Sequence, residues 1–154
     1  KSEHPAIHLL DMAGGSGCFS RAFVAAYATS LKSATLADIP QVARMFASDF
    51  KKMPKQAQRA MTTASADLFD GSTWPTHCDC HVLANVLHDW DVDKCRSILQ
   101  NSYRSLCETN GQSTPARLIV IEQLLNENSS GPLPAALASV SMLLGDWRSG
   151  KQYS

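Results

Sequence analysis

The sequence predicts an α/β fold with a mostly parallel, doubly wound sheet, and three observations support this class. Short apolar runs alternate along the chain with segments whose apolar residues recur at helical spacing. A glycine-rich turn directly follows the first apolar run, as in folds whose parallel strands are joined by helices. The 154 residues, 44% of them apolar, suffice for one domain with a buried core.

Charge and cysteine content narrow the partners that we expect. Fourteen basic residues balance fourteen acidic ones, so net charge favours neither a nucleic acid nor an anionic membrane. No apolar run approaches the roughly 18 residues that span a bilayer, and the first residues show no signal-peptide pattern. The five cysteines form no regular framework, which indicates a reducing compartment such as the cytoplasm. We therefore expect a small-molecule ligand.

The first half of the chain predicts three strands. The apolar runs 6–12 and 33–38 predict the first two, and Pro40 suits the first turn of a new helix. The polar and basic stretch 51–59 predicts an exposed helix end and loop, before a third strand at 61–66. The helix after the glycine turn is expected to carry four apolar residues on one side: Phe19, Phe23, Ala26 and Tyr27.

The second half predicts two more strands and two helices. A fourth strand is expected at 79–84, a fifth at 117–125, and a loop at 126–134. Asp89 or Asp91 can cap the helix between these strands. The buried stripe of that helix is expected to be Val92, Cys95, Leu99 and Leu106. The last helix is expected to place four apolar residues on one side: Leu137, Val140, Leu144 and Trp147.

The glycine-rich turn is the first candidate for cofactor binding. It contains Asp11, Gly14, Gly15 and Gly17. Because glycine has no Cβ, the backbone can approach a ligand closely, and ligands of open parallel sheets bind at the carboxyl ends of the strands. The alternative is a tight strand-to-helix turn that binds nothing.

Asp38 is the second candidate. It ends the second predicted strand, 21 residues after Gly17, where a carboxylate can accept hydrogen bonds from both hydroxyls of a ribose. A glycine turn followed by an acid at this distance suits a nicotinamide dinucleotide as well as a methyl donor. The dinucleotide fingerprint requires a third small residue, glycine or alanine, where this chain has Ser20, and this difference modestly favours the methyl donor.

The segment Asp67-Leu68-Phe69 follows the third predicted strand. The carboxylate of Asp67 could bond an adenine amino group while Leu68 or Phe69 covers the face of the ring. Taken alone, such a segment is more often a loop cap followed by a core residue.

His88 lies just beyond the fourth predicted strand and Glu122 lies late in the fifth. An imidazole titrates near neutral pH, so His88 can take a proton from a phenol or alcohol whose oxygen attacks a methyl group. Glu122 could hydrogen-bond the other ring nitrogen and fix the tautomer. The alternative is a helix-capping histidine and an unrelated strand-end glutamate.

The segment His77-Cys78-Asp79-Cys80-His81 resembles a metal site superficially. Zinc needs about four converging ligands from separate segments, and no second cluster of cysteine and histidine exists in the sequence. In a strand, Cys78 and Cys80 would share one face and point away from His77 and His81. We expect buried thiols and no metal.

Six segments recur here in a characteristic order and spacing over nearly the whole chain. They are Leu-Asp-Met-Ala-Gly-Gly-Ser-Gly, Ala-Asp-Ile-Pro-Gln-Val, Ala-Asp-Leu-Phe, Asn-Val-Leu-His-Asp-Trp-Asp, Leu-Ile-Val-Ile-Glu and Gly-Lys-Gln-Tyr-Ser. Together they resemble the S-adenosylmethionine-dependent O-methyltransferases of the plant caffeate and hydroxyindole type. The block around Val-Leu-His-Asp-Trp is the most specific.

The resemblance implies a Rossmann-like class I methyltransferase fold for residues 1–154, with S-adenosylmethionine as cofactor. It implies that the domain is partial, without the family's N-terminal dimerisation domain and last strands, and that the full-length protein is a homodimer. His88 would be the general base, positioned by Glu122, with no metal. By analogy the acceptor would be a phenol or hydroxyindole. The implied cofactor contacts are Gly14, Gly15, Gly17, Asp38, Asp67 and Leu68.

Trp90 and Met142 are expected to contact the acceptor. Three positions depart from the family pattern. Ala13 replaces a further glycine, and Ala84 replaces a frequent basic residue. Gln152 stands where many relatives have a glutamate near the histidine, and an amide cannot supply negative charge.

Two other classes of function remain open at this stage. An NAD(P)-dependent Rossmann oxidoreductase would share the glycine turn and Asp38, although the chain lacks a Tyr-x-x-x-Lys pair. A non-catalytic methyltransferase-fold binding protein would tolerate the departures at Ala84 and Gln152. Binding of S-adenosylhomocysteine without NAD would separate the first alternative from a methyltransferase.

Overall fold

A computed structural model describes residues 7–27, 30–109, 116–144 and 150–154. They contain one parallel sheet with five strands: β1 Ile7–Met12, β2 Leu31–Asp38, β3 Met61–Ser65, β4 Cys80–Ala84 and β5 Arg117–Ile121. Across the sheet the order is β3-β2-β1-β4-β5. The order reverses beside β1, so the loops after β1 and β4 diverge and leave a crevice there. The predicted parallel α/β fold is confirmed.

The described ranges also contain five α-helices: α1 Cys18–Ala26, α2 Pro40–Phe50, α3 Lys55–Ala60, α4 Val92–Thr109 and α5 Leu133–Leu144. Pro40 opens α2 as predicted, because its fixed φ suits a first helical turn. The stretch 51–59 was predicted without a helix of its own, yet α3 begins there. The predicted loop 126–134 is too long, since Pro134 lies within the first turn of α5.

Helices cover both faces of the sheet, which confirms the doubly wound arrangement. Adjacent residues of β1 enter opposite cores, because side chains alternate along a strand. One core is covered by α1 and α2 and includes Leu9, Val24, Leu36 and Phe46. The other is covered by α4 and includes Leu10, Met12, Leu83 and Ile98.

The predicted buried stripe of α4 is wrong. Val92 and Leu99 are 52% and 37% exposed, and Cys95 is only partly buried, although Leu106 is buried. The buried face is instead Ile98, Asn101, Ser102, Ser105 and Leu106. Hydrophobic periodicity cannot reveal a buried face that is partly polar. Polar residues are buried here because they are hydrogen-bonded: Ser102 bonds His81 of β4, and Asn101 bonds the Leu68 carbonyl.

The cysteine segment also departs from its prediction. Cys78 belongs to the core under α4, whereas Cys80 belongs to the core under α1 and α2. They do not share a face because β4 begins only at Cys80, and His77 has a left-handed backbone with φ 68° that turns the chain. Alternation along a strand therefore does not extend back to Cys78.

The fifth strand is shorter than predicted and ends at Ile121. The chain leaves the sheet there because the Glu122 carboxylate bonds the backbone N–H groups of Val86 and Leu87, and Leu125 bonds the carbonyl of Tyr153. The predicted α5 residues Leu137, Val140 and Leu144 are all exposed. Trp147 and the first residue of the predicted strand 6–12 lie outside the described residues.

None of the helices in the described part of the chain combines the length and the apolar composition that crossing a membrane requires.

Candidate active site at the carboxyl edge of the sheet

All five strands run in parallel, so the loops that follow them meet at one edge. The glycine turn follows β1, Asp38 ends β2, Asp67 lies just after β3, His88 follows β4 and Glu122 follows β5. The structure therefore brings the predicted residues to one rim, the position where open α/β sheets bind ligands.

The glycine turn is compact and stabilised by a backbone bond from Gly17 N to Gly14 O of 2.8 Å. Gly17 has φ 69°, and a Cβ there would clash with the Phe46 ring, so both conformation and packing require glycine. Gly15 has φ 54° and open space where a Cβ would stand. The turn thus presents bare backbone toward the rim at Gly15.

Ala13 adopts φ 57°, a left-handed conformation that L-residues other than glycine and asparagine rarely take. The chain accepts it because Ala13 N donates a 2.7 Å hydrogen bond to Ala37 O of β2. The departure from glycine at this position therefore introduces backbone strain.

Asp11 lies beneath the turn and is 1% exposed. Its Oδ2 accepts bonds from Ser20 N at 3.1 Å and from Ser20 Oγ at 2.6 Å. Burial raises the pKa of this carboxyl, while the two bonds from Ser20 oppose the rise. Its Oδ1 is buried without a hydrogen-bond partner among the described residues, so a polar acceptor remains below the glycine turn.

Asp38 joins the end of β2 to the glycine turn. Its Oδ2 accepts a hydrogen bond from Gly15 N at 2.9 Å, and its Oδ1 accepts one from Ile39 N at 2.7 Å. Each carboxylate oxygen has a second lone pair, so these bonds orient the carboxylate and leave it able to accept further donors.

A cavity of about 120 Å³ opens at this rim. Its lining combines two carboxylates with apolar and aromatic side chains: Met12, Ala13, Asp38, Ile39, Ala66, Asp67, Leu68, Phe69 and Trp90. Four predicted contact residues, Asp38 and the Asp67-Leu68-Phe69 segment, therefore converge on one space. A groove of about 390 Å³ between α1 and α3 is larger, but Arg21 is its only charged lining residue.

The segment after β3 is shaped by its own hydrogen bonds. Asp67 Oδ1 accepts a 2.8 Å bond from Phe69 N, and the Asp67 carbonyl accepts a 2.9 Å bond from the Trp74 indole. The Phe69 ring meets Trp90 edge-on, with ring centroids 4.8 Å apart. This pair makes an aromatic wall between the segment after β3 and the one after β4.

His88 and Glu122 form the predicted hydrogen bond. His88 Nδ1 lies 2.7 Å from Glu122 Oε2, and Glu122 Oε1 accepts bonds from Val86 N and Leu87 N at 2.8 and 2.7 Å. The glutamate side chain is 6% exposed. Because both oxygens are engaged, the carboxylate is fixed, and it orients Nδ1–H of the imidazole toward itself.

Sequence reasoning missed the second carboxylate at this histidine. Asp89 Oδ1 lies 3.2 Å from His88 Nε2, whereas Asp91 supplies the cap of α4 through a 2.9 Å bond from Lys94 N. Burial raises the pKa of Asp89, His88 lowers it, and Glu122 raises it. The one sequence signal for this contact was that Asp89 directly follows His88. A short 3₁₀ turn at Leu87–Asp89 folds the aspartate back onto its neighbour.

The last residues of the chain pass beside the histidine. Lys151 N donates a 2.7 Å bond to the His88 carbonyl, and Tyr153 Oη donates a 2.7 Å bond to the Trp90 carbonyl. Gln152 is 6% exposed, and its Oε1 has no hydrogen-bond partner among the described residues. Met142 is partly buried in α5 and is not among the residues that line the cavity.

Cys78 and Cys80 lie at the amino-terminal end of β4, away from the carboxyl edge, and are buried thiols. Burial raises the pKa of Cys78 to about 11 and also raises the pKa of Cys80, so both stay protonated at neutral pH. Among the residues with assigned positions, no group of three or more His, Cys, Asp or Glu side chains could hold a metal ion.

Comparison with known proteins gives a consistent result. The model of a family described as the O-methyltransferase domain matches residues 4–154. The chain is similar to acetylserotonin O-methyltransferase of Gallus gallus, with 29% identity over 153 residues, which cover 97% of this chain and 40% of that protein.

Two solved structures resemble the fold. An O-methyltransferase family 2 protein of Planctomyces limnophilus, in complex with apigenin, has a TM-score of 0.75 and 28% identity, covering 100% of this chain and 43% of its own. PigF with SAH has a TM-score of 0.79 and 25% identity, covering 96% of this chain and 41% of its own. The chain thus spans less than half the length of each relative.

Proposed function

The chain belongs to the O-methyltransferase domain family, and on that premise we propose that the protein transfers a methyl group from S-adenosylmethionine to a hydroxyl of a small aromatic molecule. The observation that carries the proposal is the hydrogen bond between His88 and Glu122, because it orients an imidazole at the rim that also holds the carboxylate-lined cavity. The relatives are two to three times longer, so this activity is proposed for the whole protein.

The rim fits the adenosine part of the cofactor. Asp38 is positioned to accept bonds from ribose hydroxyls, and Asp67 to accept one from an adenine amino group. Leu68 and Phe69 supply apolar surface for the faces of a planar ring.

The glycine turn fits the charged end of the same molecule. A Cβ at Gly15 would stand in open space, so bare backbone faces the rim there. A Cβ at Gly14 would meet the Asp11 carboxylate at 2.9 Å, and the buried Oδ1 of Asp11 lacks a partner among the described residues. An ammonium group, directly or through water, would satisfy that oxygen.

The bound cofactor supplies an electrophilic methyl group on a sulfonium, so the protein's tasks are alignment and deprotonation. Glu122 holds the proton of His88 on Nδ1, which leaves Nε2 as the atom that accepts a proton from the acceptor hydroxyl. The carboxylate also stabilises the imidazolium that forms.

The acceptor is proposed to be a phenol or a hydroxyindole. Trp90 and Phe69 form an aromatic wall next to His88, and aromatic walls favour planar aromatic ligands. Relatives support this class, since one is named for acetylserotonin and one was crystallised with apigenin. Met142, from α5, is proposed as a further acceptor contact. A cytoplasmic homodimer with no metal completes the proposal.

A methyl-transfer screen tests the proposal. The protein is incubated with S-adenosylmethionine labelled in its methyl group and with phenolic and indolic acceptors, and O-methylated products are quantified. The expected result is label in at least one O-methyl ether. Binding of S-adenosylhomocysteine with no transfer to any acceptor would instead support a non-catalytic binding protein.

Asp38→Ala supplies the matching test of the cofactor site. Losing a carboxylate that bonds ribose hydroxyls should weaken S-adenosylhomocysteine binding by about 10-fold or more, as measured by calorimetry. Asp49→Ala is the control, because Asp49 is exposed and its carboxylate pairs with the exposed Lys52. Equal affinity in both variants would remove Asp38 from the proposed site.

A further inference from the structure

The His88 ring lies between two carboxylates that approach opposite nitrogens. Glu122 Oε2 is 2.7 Å from Nδ1, and Asp89 Oδ1 is 3.2 Å from Nε2. The exposed fractions of the His88, Glu122 and Asp89 side chains are 16%, 6% and 26%. Aspartate therefore occupies the more open side of the ring.

The contact on the Nε2 side requires a proton. A deprotonated Nε2 and a carboxylate oxygen are both acceptors and repel each other at this distance. A proton between them, whether on the ring or on the carboxyl, converts the contact into a charge-assisted hydrogen bond. Nε2 has a single in-plane lone pair, so it takes the acceptor's proton only while the Asp89 carboxylate stands aside, and the 3.2 Å contact is that of the ring once Nε2 carries a proton.

Other charged or titratable groups near this ring have other partners. Lys94 lies over the Trp90 ring, Lys151 lies over the Tyr153 ring, and the Tyr153 hydroxyl bonds the Trp90 carbonyl. Cys95 faces the Leu87 carbonyl from α4. Gln152, in the adjoining segment, is neutral.

We propose that Asp89 is a second positioning carboxylate for His88, one that stabilises the imidazolium formed during methyl transfer and receives its proton for release to solvent. The inference rests on the proposed function. The acceptor O–H bond breaks as its oxygen bonds to the methyl carbon, whose bond to the cofactor sulfur would break and leave a neutral thioether. The proton moves to His88 Nε2 and, after the methylated product has left, through Asp89 Oδ1 to water, which balances charge and atoms.

The test compares three variants of the protein. Asp89→Asn removes the charge with little change in shape, and Asp89→Glu keeps it. Asp91→Asn removes a charge two residues away that caps α4 and pairs with Lys94. Two quantities are measured: the pH midpoint of the His88 ring resonances by NMR, and the pH dependence of kcat/KM for methyl transfer.

Asp89→Asn should lower the ring's NMR midpoint because the ring loses a carboxylate that favours its protonated form. Solvent screening of this partly exposed pair should limit the fall to about 1 pH unit. The acid limb of kcat/KM should move in the same direction, and the plateau should fall by about 3- to 10-fold. Asp89→Glu should restore both quantities at least halfway, and Asp91→Asn should change the midpoint by less than about 0.3 unit. A midpoint for Asp89→Asn within that same margin would overturn the inference.

Loss of folding is recognised separately by S-adenosylhomocysteine affinity, which Asp89→Asn should leave within about 3-fold, because Asp89 does not line the cofactor cavity. The NMR midpoint needs no turnover. If the midpoint shifts but the protein transfers no methyl group, the proposed function and the proton transfer through Asp89 are refuted. Only the electrostatic contact between Asp89 and His88 would then stand. Full methyl transfer with an unshifted midpoint would refute the role of Asp89 alone.

Discussion

Two histidines on the same stretch of chain show how position in this sheet decides what an imidazole can do. His81 lies inside β4, is fully buried, and bonds the Ser102 hydroxyl of α4 at 2.9 Å through Nδ1. Its Nε2 has no partner among the described residues. His88 lies just beyond the same strand and contacts the carboxylates of Glu122 and Asp89.

The difference lies in the partners that each region supplies. A neutral hydroxyl and an apolar core favour the neutral ring, and burial lowers the pKa of His81 to about 4. Carboxylates at the rim stabilise a ring that gains a proton. Within the sheet the histidine is a structural residue, whereas at the carboxyl edge it has the surroundings of an acid–base group.

The largest effect on methyl transfer is expected when the carboxylate of Glu122 at the rim is removed. Glu122→Gln should lower kcat for methyl transfer by about 100- to 1000-fold, because the amide cannot stabilise an imidazolium and no longer fixes the ring tautomer. Single-turnover kinetics with saturating S-adenosylmethionine measures this.

The fold should survive this substitution, since a glutamine oxygen can still accept the bonds from Val86 N and Leu87 N. Glu127→Gln, in an exposed loop position, is the matched control and should retain the full rate. A rate for Glu122→Gln within about 3-fold of the control would show that the carboxylate does not act on His88.

The core histidine predicts a dependence of stability on pH. Its folded-state pKa of about 4 lies below the value of about 6.5 in an unfolded chain. Between these values the unfolded state binds more protons, so this stability is complete above pH 6.5 and is lost as pH falls toward 4. The free energy of unfolding should drop by about 3 kcal/mol over that window, as measured by urea titration.

The double variant His81→Phe/Ser102→Ala isolates this contribution. It replaces both partners of the buried hydrogen bond by apolar groups, which costs little when shape is preserved. Its unfolding free energy should lose most of the decline between pH 6.5 and 4. The raised pKa of Asp11 acts in the opposite direction in both proteins and cancels in the difference. An unchanged slope would contradict a neutral buried His81.

The two faces of α4 provide the third prediction. Ile98 is fully buried under the sheet, whereas Leu99 is 37% exposed. Ile98→Ala should lower the free energy of unfolding by about 2–4 kcal/mol because it leaves a cavity, and Leu99→Ala should lower it by less than about 1 kcal/mol. Thermal unfolding of the two variants measures both changes. Equal losses of unfolding free energy would mean that α4 is rotated from the orientation described.

Sequence periodicity located the strands and the residues at their ends, but not the buried face of α4. The positions of the strands along the chain, the glycine turn, Asp38, Asp67 and His88 followed from local patterns, because the site residues lie where an apolar run stops. The order of the strands across the sheet was not predicted. The buried face of α4 depends on Ser102, whose partner His81 is distant in sequence, so no local pattern reveals it.

The same limit applies to the candidate site. The partnership of His88 with Glu122 was predictable because both follow strands that end at one edge. The contact with Asp89 was not, because it depends on the backbone path of a single short turn. Residues placed by sheet topology are therefore predictable, whereas contacts made by loop conformation need coordinates.

The smallest expected effect concerns strain in the glycine turn. Ala13→Gly should raise the free energy of unfolding by about 0.5–1 kcal/mol, because glycine takes the left-handed conformation at φ 57° without a steric cost. Thermal unfolding with and without S-adenosylhomocysteine measures it. Destabilisation of similar size would show that the methyl group's packing in the cavity lining outweighs the strain.

The most direct test of the central claim is the rate of methyl transfer by His88→Ala under conditions where S-adenosylhomocysteine binding is also measured. We expect binding within about 3-fold of the unchanged protein and transfer at least about 100-fold slower, since the cofactor contacts stay intact and only the base is lost. Undiminished transfer with intact binding would contradict the assignment of His88 as the base at the carboxyl edge.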